Sequence, residues 1–126
     1  MKATILSVII AVALIGGTIV LTKNSHSQEV AHNVSIVDGK QIIEIHAKGG
    51  YLPKKSFAKA GVPTILRFNT NGTFDCSASA IIPSLNIAKV LPQSGITDID
   101  VGVREVATLH GTCSMGMYPF EVEFQG

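Results

Sequence analysis

Between His110 and Phe120 the chain reads HGTCSMGMYPF, with Cys113, Met115 and Met117 at alternate positions and only Ser114 and Gly116 between them. The sequence holds two cysteines and three methionines, one of them the initiator. Most of its non-initiator sulfur therefore lies within five residues, and the other cysteine, Cys76, stands just after a turn, 37 positions upstream. Thiolate and thioether together are the donor pair that selects monovalent copper. Zinc takes Cys, His or carboxylate ligands and has little use for thioethers, and an iron–sulfur cluster calls for four cysteines. One Cu(I) between two thiolates carries a net negative charge. A second Cu(I) brings the cluster to zero, which a partly buried site tolerates far better. Cys76 and Cys113 are accordingly expected to bridge two cuprous ions, with Met115 and Met117 completing the weaker one.

Two plainer readings compete. Cys76 and Cys113 can form a disulfide, which for a loop of this size stabilises a fold by ~3–4 kcal/mol on the chain-entropy argument. Alternatively, Cys113, Met115 and Met117 point inward from one strand, since positions i, i+2 and i+4 share a face and both residue types fill cores. Against that stands the plentiful Val and Ile elsewhere in the chain. Ser114 and Gly116 are small, as a tight turn or a close backbone approach requires.

The elements that must position these sulfurs are strands. NVSIVDGKQIIEI places two β-rich runs around Asp38-Gly39, a strong hairpin signal because both turn residues must take positive φ. Dense Gly and Pro punctuation follows, separating short runs such as VPTILRFN, SGITDIDVGV and REVATLHG. The last run, Phe120-Glu121-Val122-Glu123-Phe124, alternates as a half-buried strand does. Beyond residue 23 no sustained helical period occurs; a short helix or turn is expected around Leu85 to Val90. Strands of this length at roughly 8–12-residue spacing predict an all-β, antiparallel β-sandwich. There is no internal repeat, low-complexity tract, phosphate loop, Gly-x-Ser-x-Gly or His-Glu-x-x-His.

The chain has 126 residues, a net charge of +1, and 46% hydrophobic but only 6% aromatic residues. It is one domain's worth of protein, with no basic field for nucleic acid. The aliphatic bias comes from Ala3–Thr22, twenty residues without a charge. At ~1.5 Å per helical residue they span ~30 Å, a bilayer's hydrocarbon core. A cleaved signal peptide is the competing reading, but its apolar region would be shorter and end at a small-x-small site. Here Lys23, Asn24, Ser25 and His26 follow. The organisation read from the sequence is a transmembrane anchor over residues 1–23, a polar linker over 24–30 and a soluble domain over 31–126. Beyond the anchor, eight Lys and Arg face nine Asp and Glu. Lysines on both sides of the anchor leave its orientation open.

The arrangement Cys-x-Met-x-Met-Tyr near the end of a small sandwich, with an upstream Cys after a turn, resembles the cupredoxin-like Cu(I)-binding domains of bacterial copper resistance systems. Among these it resembles the CupA type, a membrane-anchored copper chaperone. The resemblance spans about residues 42–125 and rests on three stretches. They are GGYLPKKSFAKAGVPTILRFN, with Tyr51, Pro53, Phe57, Gly61 and Pro63, then DCSASAIIPSLNIAKVLP, then GTCSMGMY. It implies a Greek-key β-sandwich and a binuclear Cu(I) site bridged by Cys76 and Cys113, with Met115 and Met117 on the more labile ion. It further implies a domain facing the cytoplasm and transfer to the cupredoxin-like domain of a copper-exporting P-type ATPase, giving copper tolerance; separately, no catalytic base, nucleophile pair or substrate pocket is readable in the sequence, so no enzymatic activity is expected. Thiols meant for Cu(I) are also easier to keep reduced on that side.

A blue-copper centre needs two histidines with its cysteine, yet no His follows Cys113, and Cys76 stands about where an upstream His ligand would be. His26 and His32 read as solvated, His46 as a surface strand residue and Asp75 as a solvated turn residue; His110, three before Cys113, is a candidate supporting donor. The leading expectation is a copper-binding chaperone. An electron-transfer cupredoxin and a metal-free, disulfide-stapled extracytoplasmic sandwich are the alternatives.

Overall fold

A computed structural model describes residues 32–126; the anchor expected over 1–23 and the linker over 24–30 lie outside them. Among the described residues ten strands are formed: β1 Val34–Val37, β2 Lys40–Ala47, β3 Tyr51–Leu52, β4 Lys55–Lys59, β5 Pro63–Thr70, β6 Ser79–Ile82, β7 Ile87–Val90, β8 Gly95–Val103, β9 Ala107–Thr112 and β10 Pro119–Gln125. They make two five-stranded sheets. In one the order is β1-β2-β5-β8, with β3 also on β2; in the other it is β4-β10-β9-β6-β7.

The hairpin around Asp38-Gly39 forms as the sequence requires. Val37 pairs with Lys40, and the two turn residues take φ of 51° and 76°, the left-handed pair that matches strand twist. In β10 the outward glutamates alternate with buried Phe120, Val122 and Phe124. In β5, Thr64, Leu66, Phe68 and Thr70 face inward.

Two expectations are corrected. The sandwich is not wholly antiparallel, because β2 pairs parallel with β5 and β4 parallel with β10. The chain leaves the first sheet to lay down β4 in the second, then returns as β5. Such a crossover is what a parallel neighbour needs. The segment near Leu85–Val90 is also mostly strand. A single 3₁₀ turn covers Pro83–Leu85, Asn86 takes a left-handed φ of 53°, and Ile87–Val90 then pairs with β6.

The core lies between the sheets. Ile43, Ile45, Leu66, Phe68 and Ile99 come from the first; Ala80, Ile82, Leu109, Phe120, Val122 and Phe124 come from the second. Buried Gln41 stitches the layers together. Its amide donates to the Lys59 carbonyl at 3.0 Å and accepts from the Lys59 N–H at 2.9 Å, so β2 and β4 are held by paired polar bonds where a lone buried amide would be costly. Tyr51, Phe68 and Phe120 form an edge-to-face triad with ring centroids 4.8–6.0 Å apart. This geometry adds to area burial by roughly 0.5–1.5 kcal/mol per pair.

Candidate metal centre

Three loops gather at one end of the sandwich: residues 48–50 after β2, 71–78 after β5, and 113–118 after β9. Thr73 ties the second loop to the end of β2, where the first begins, its buried hydroxyl donating to the Ala47 carbonyl. Asp75 ties the two loops themselves. Its carboxylate accepts from the Gly49 N–H at 2.8 Å, from the Ser77 N–H at 2.8 Å and from the Ser77 hydroxyl. It thereby caps the 3₁₀ turn Cys76–Ala78 that carries the first cysteine. A short oxygen side chain just before such a turn satisfies backbone N–H groups that would otherwise lack partners.

The third loop is built around the second cysteine. The Cys113 N–H donates to the Tyr118 carbonyl at 3.2 Å, and the Gly116 N–H donates to the Cys113 carbonyl at 3.0 Å. Gly116 takes φ of 72°, which only glycine adopts freely. β9 stops at Thr112 and the chain turns. Cys113, Met115 and Met117 are therefore not on one inward strand face. Cys113 is 1% exposed, while Met115 and Met117 are 77% and 62% exposed.

Ser79 joins the two cysteine loops. Its hydroxyl accepts from the Ser114 N–H at 3.0 Å and donates to the Cys76 carbonyl at 3.0 Å. The Met115 N–H donates to Cys76 Sγ at 3.4 Å. The two cysteines meet with Cα atoms 5.6 Å apart and their sulfurs joined as a disulfide. Cys76 is half-buried, beside the fully buried Cys113.

Beneath the pair lies Tyr51, 1% exposed. Its hydroxyl donates to the Ser79 carbonyl, and burial first, then the negative charge of Asp75, pushes its pKa up to about 12. It thus remains a donor at any physiological pH and holds Ser79 under both cysteine loops.

All four sulfurs singled out in the sequence therefore belong to this end of the fold: Cys76 and Cys113 in direct contact, Met115 and Met117 on the adjoining turn. His110 is not part of the cluster. It projects from the outward face of β9, opposite to Leu109 and Gly111, and its imidazole lies 3.7 Å from Glu121. His46 and His32 are on the surface as expected. Asp75 is more than a solvated turn residue: it is exposed, yet it clamps two loops. The signal in the sequence was Asp-x-Ser ahead of the turn. Ser79 carried no signal, because its role depends on which loops meet. Among the described residues no three His, Cys, Asp or Glu side chains converge.

The Ser77 hydroxyl bond, with help from the Gly49 and Ser77 N–H groups, holds the Asp75 carboxyl below the ordinary carboxylate range. A depressed carboxylate stabilises the fold above its unfolded-state pKa, and that contribution is lost as pH falls through the native value. In Asp75→Asn, thermal melts of the full-length chain are expected to show lower stability than wild type near neutrality. The gap should close below the usual carboxylate range. A constant gap from neutral to acidic pH would show that charge at Asp75 plays no part.

No family model matches the chain, and no curated protein matches it. Solved structures do. One is the metal binding domain of the Streptococcus pneumoniae D39 Cu(I) exporting P-type ATPase CopA, crystallised with Cu(I): 20% identity, TM-score 0.66, covering 74% of this chain and 93% of that one. Another is an NMR solution structure of a copper binding protein in the apo form: 20% identity, TM-score 0.67, covering 73% of this chain and 94% of that one. At that identity the likeness is one of fold: the described domain has the β-sandwich of these copper-binding domains.

Proposed function

We propose that the chain is a Cu(I)-binding module of the CupA type. In this reading Cys76 and Cys113, once reduced, bridge monovalent copper, and Met115 and Met117 hold a second, more labile ion. One observation carries it: the chain's only two cysteines meet at the end of the sandwich where two methionines stand in solvent. Exposed thioethers are poor core and poor surface, but they are good exchangeable ligands for a soft ion. Copper is cargo here, received and passed on by ligand exchange, with the labile ion leaving first. The recipient in this reading is the cupredoxin-like domain of a copper-exporting P-type ATPase. Residues 3–22 would anchor the module in the membrane, with the domain on the cytoplasmic side, and the outcome would be copper tolerance. In this reading the chain binds and hands on copper and catalyses no reaction. Anaerobic competition titration of the reduced full-length chain in detergent tests the reading: about two Cu(I) per chain should bind as a colourless complex, and no binding would end it.

The disulfide favours a second reading, a metal-free extracytoplasmic sandwich stapled by Cys76–Cys113. The staple would add ~3–4 kcal/mol, but it leaves Met115 and Met117 without a purpose. Counting thiols on protein kept under native conditions separates the two. Two reactive thiols support the copper module, and none supports the staple. In intact cells, the copper reading also expects neither cysteine to be labelled from outside.

A further inference from the structure

A cleft of about 360 Å³ opens beside the sulfur cluster, within the size range of small-molecule sites, roughly 300–1,000 Å³. Gly49, Gly50, Met117 and Tyr118 line it together with Lys48 and Lys54. Both lysines are exposed, and among the described residues neither ammonium has a carboxylate within 4.0 Å, whereas neighbouring Lys55 is shared between Glu121 and Glu123. The wall is built for close approach. A Cβ on Gly50 would sit 3.5 Å from the Tyr118 ring, and Gly50 takes φ of 116°. Gly49 is held by Asp75, the cap of the Cys76 turn. The cleft thus presents two unpaired cations, and one of its walls is a thioether of the candidate metal centre.

Free Cu(I) is too reactive to travel without ligands, so copper must arrive as a complex. The geometry points to the cleft as the docking site for the donor: a cuprous complex of a small thiol that carries carboxylates. This rests on the copper reading above. Lys48 and Lys54 take the donor's carboxylates, which sets its copper against Met117. Two equivalents of the small thiol first reduce the Cys76–Cys113 disulfide and are themselves oxidised to a disulfide; the bond from copper to the donor sulfur then breaks as a bond to Cys76 Sγ forms. Copper stays monovalent throughout, and the proton lost by the Cys76 thiol passes to the departing thiolate. A purely apolar crown around the methionines would accept copper equally from any thiol; paired cations beside Met117 discriminate by charge.

The probes are Cu(I)–glutathione, whose thiol ligand bears two carboxylates, and Cu(I)–β-mercaptoethanol, whose ligand bears none. They are offered anaerobically to the reduced full-length chain. In Lys48→Gln with Lys54→Gln, uptake from the glutathione complex should slow about tenfold, as loss of electrostatic steering does. Uptake from the mercaptoethanol complex and the final Cu(I) affinity should not change. S-methylglutathione, which keeps the carboxylates but cannot give a thiolate, should slow uptake from the glutathione complex and shift the Gly49 and Gly50 amide signals of the copper-free protein. Equal uptake from both donors, untouched by the lysine substitutions, would overturn the cleft while leaving the copper reading standing. Unmoved Gly49 and Gly50 signals would do the same. No uptake from either donor would bring down the copper reading and this proposal with it.

Discussion

Replacing Cys113 with serine is expected to abolish tight Cu(I) binding altogether, whereas replacing both Met115 and Met117 with isoleucine should remove only one of two ions. The asymmetry follows from ligand chemistry and position. A hydroxyl is a hard, neutral donor that cannot take a thiolate's place toward a soft cation. Losing one thiolate also leaves two Cu(I) with a single balancing charge, so the cluster would be a cation beside a buried sulfur position. The methionines add no charge, are 77% and 62% exposed, and exchange with solvent ligands. Their loss should cost the labile ion and spare the bridged one. Cys113 is buried, so its serine variant could also disturb the fold. Cys76→Ser changes a half-buried position and should give the same loss of copper with the β-sheet circular dichroism intact. Two equivalents still bound in the double methionine variant would show that other groups complete the second site. Tight binding retained by both serine variants would remove the cysteines from the centre.

What the sequence disclosed about this site and what it concealed differ in a physical way. Local chemistry was legible. Asp38-Gly39 announced its turn because positive φ at two successive positions admits few residues. Phe120, Val122 and Phe124 announced a strand through strict alternation. The small residues Ser114 and Gly116 pointed to the turn that forms between Cys113 and Met117. Pairings between distant segments were not legible. The parallel partnership of β2 with β5 depends on a crossover through the other sheet, which no window of sequence contains. Asp75 reads as a turn residue until Gly49, 26 positions away, is seen to lean on it. His110 looked close to Cys113 in sequence but projects from the outward face of β9, because side chains alternate along a strand and its neighbours Leu109 and Gly111 face inward.

The centre's rigidity comes from below, and this decides which structural change should hurt most. Tyr51 is caught between Phe68 and Phe120 and holds Ser79 from beneath. Ser79 in turn bonds both cysteine loops. Any displacement of Phe120 therefore loosens the support of Cys76 and Cys113 together, without touching a sulfur. Disturbing it should weaken the fold and displace both cysteine loops in parallel.

Gly111→Ala delivers that disturbance with a single methyl group. Gly111 lies directly across from Phe120 in the β9–β10 ladder, and the ring folds over the space where a side chain would be. A Cβ at position 111 would stand 2.5 Å from Phe120 Cε1 and 2.6 Å from Cε2, separations that force the ring aside. Phe120 is 2% exposed and wedged against Tyr51 and Phe68, so it has nowhere to go without breaking the triad. Overpacking of this kind costs about 1–3 kcal/mol, and losing the edge-to-face contacts adds roughly 0.5–1.5 kcal/mol per pair. For a domain of this size, Gly111→Ala should lower Tm by about 10–20 °C. Ordinary backbone reasoning gives the opposite sign, since alanine in place of glycine within a strand normally stabilises by reducing the freedom of the unfolded chain. The two causes are separable in a double-mutant cycle. Phe120→Leu alone should destabilise through the cavity it leaves, but in that background Gly111→Ala should cost far less than in wild type. Thermal melts of the four proteins decide it: additive effects, or a Gly111→Ala variant as stable as wild type, would mean that Phe120 does not depend on the missing side chain opposite.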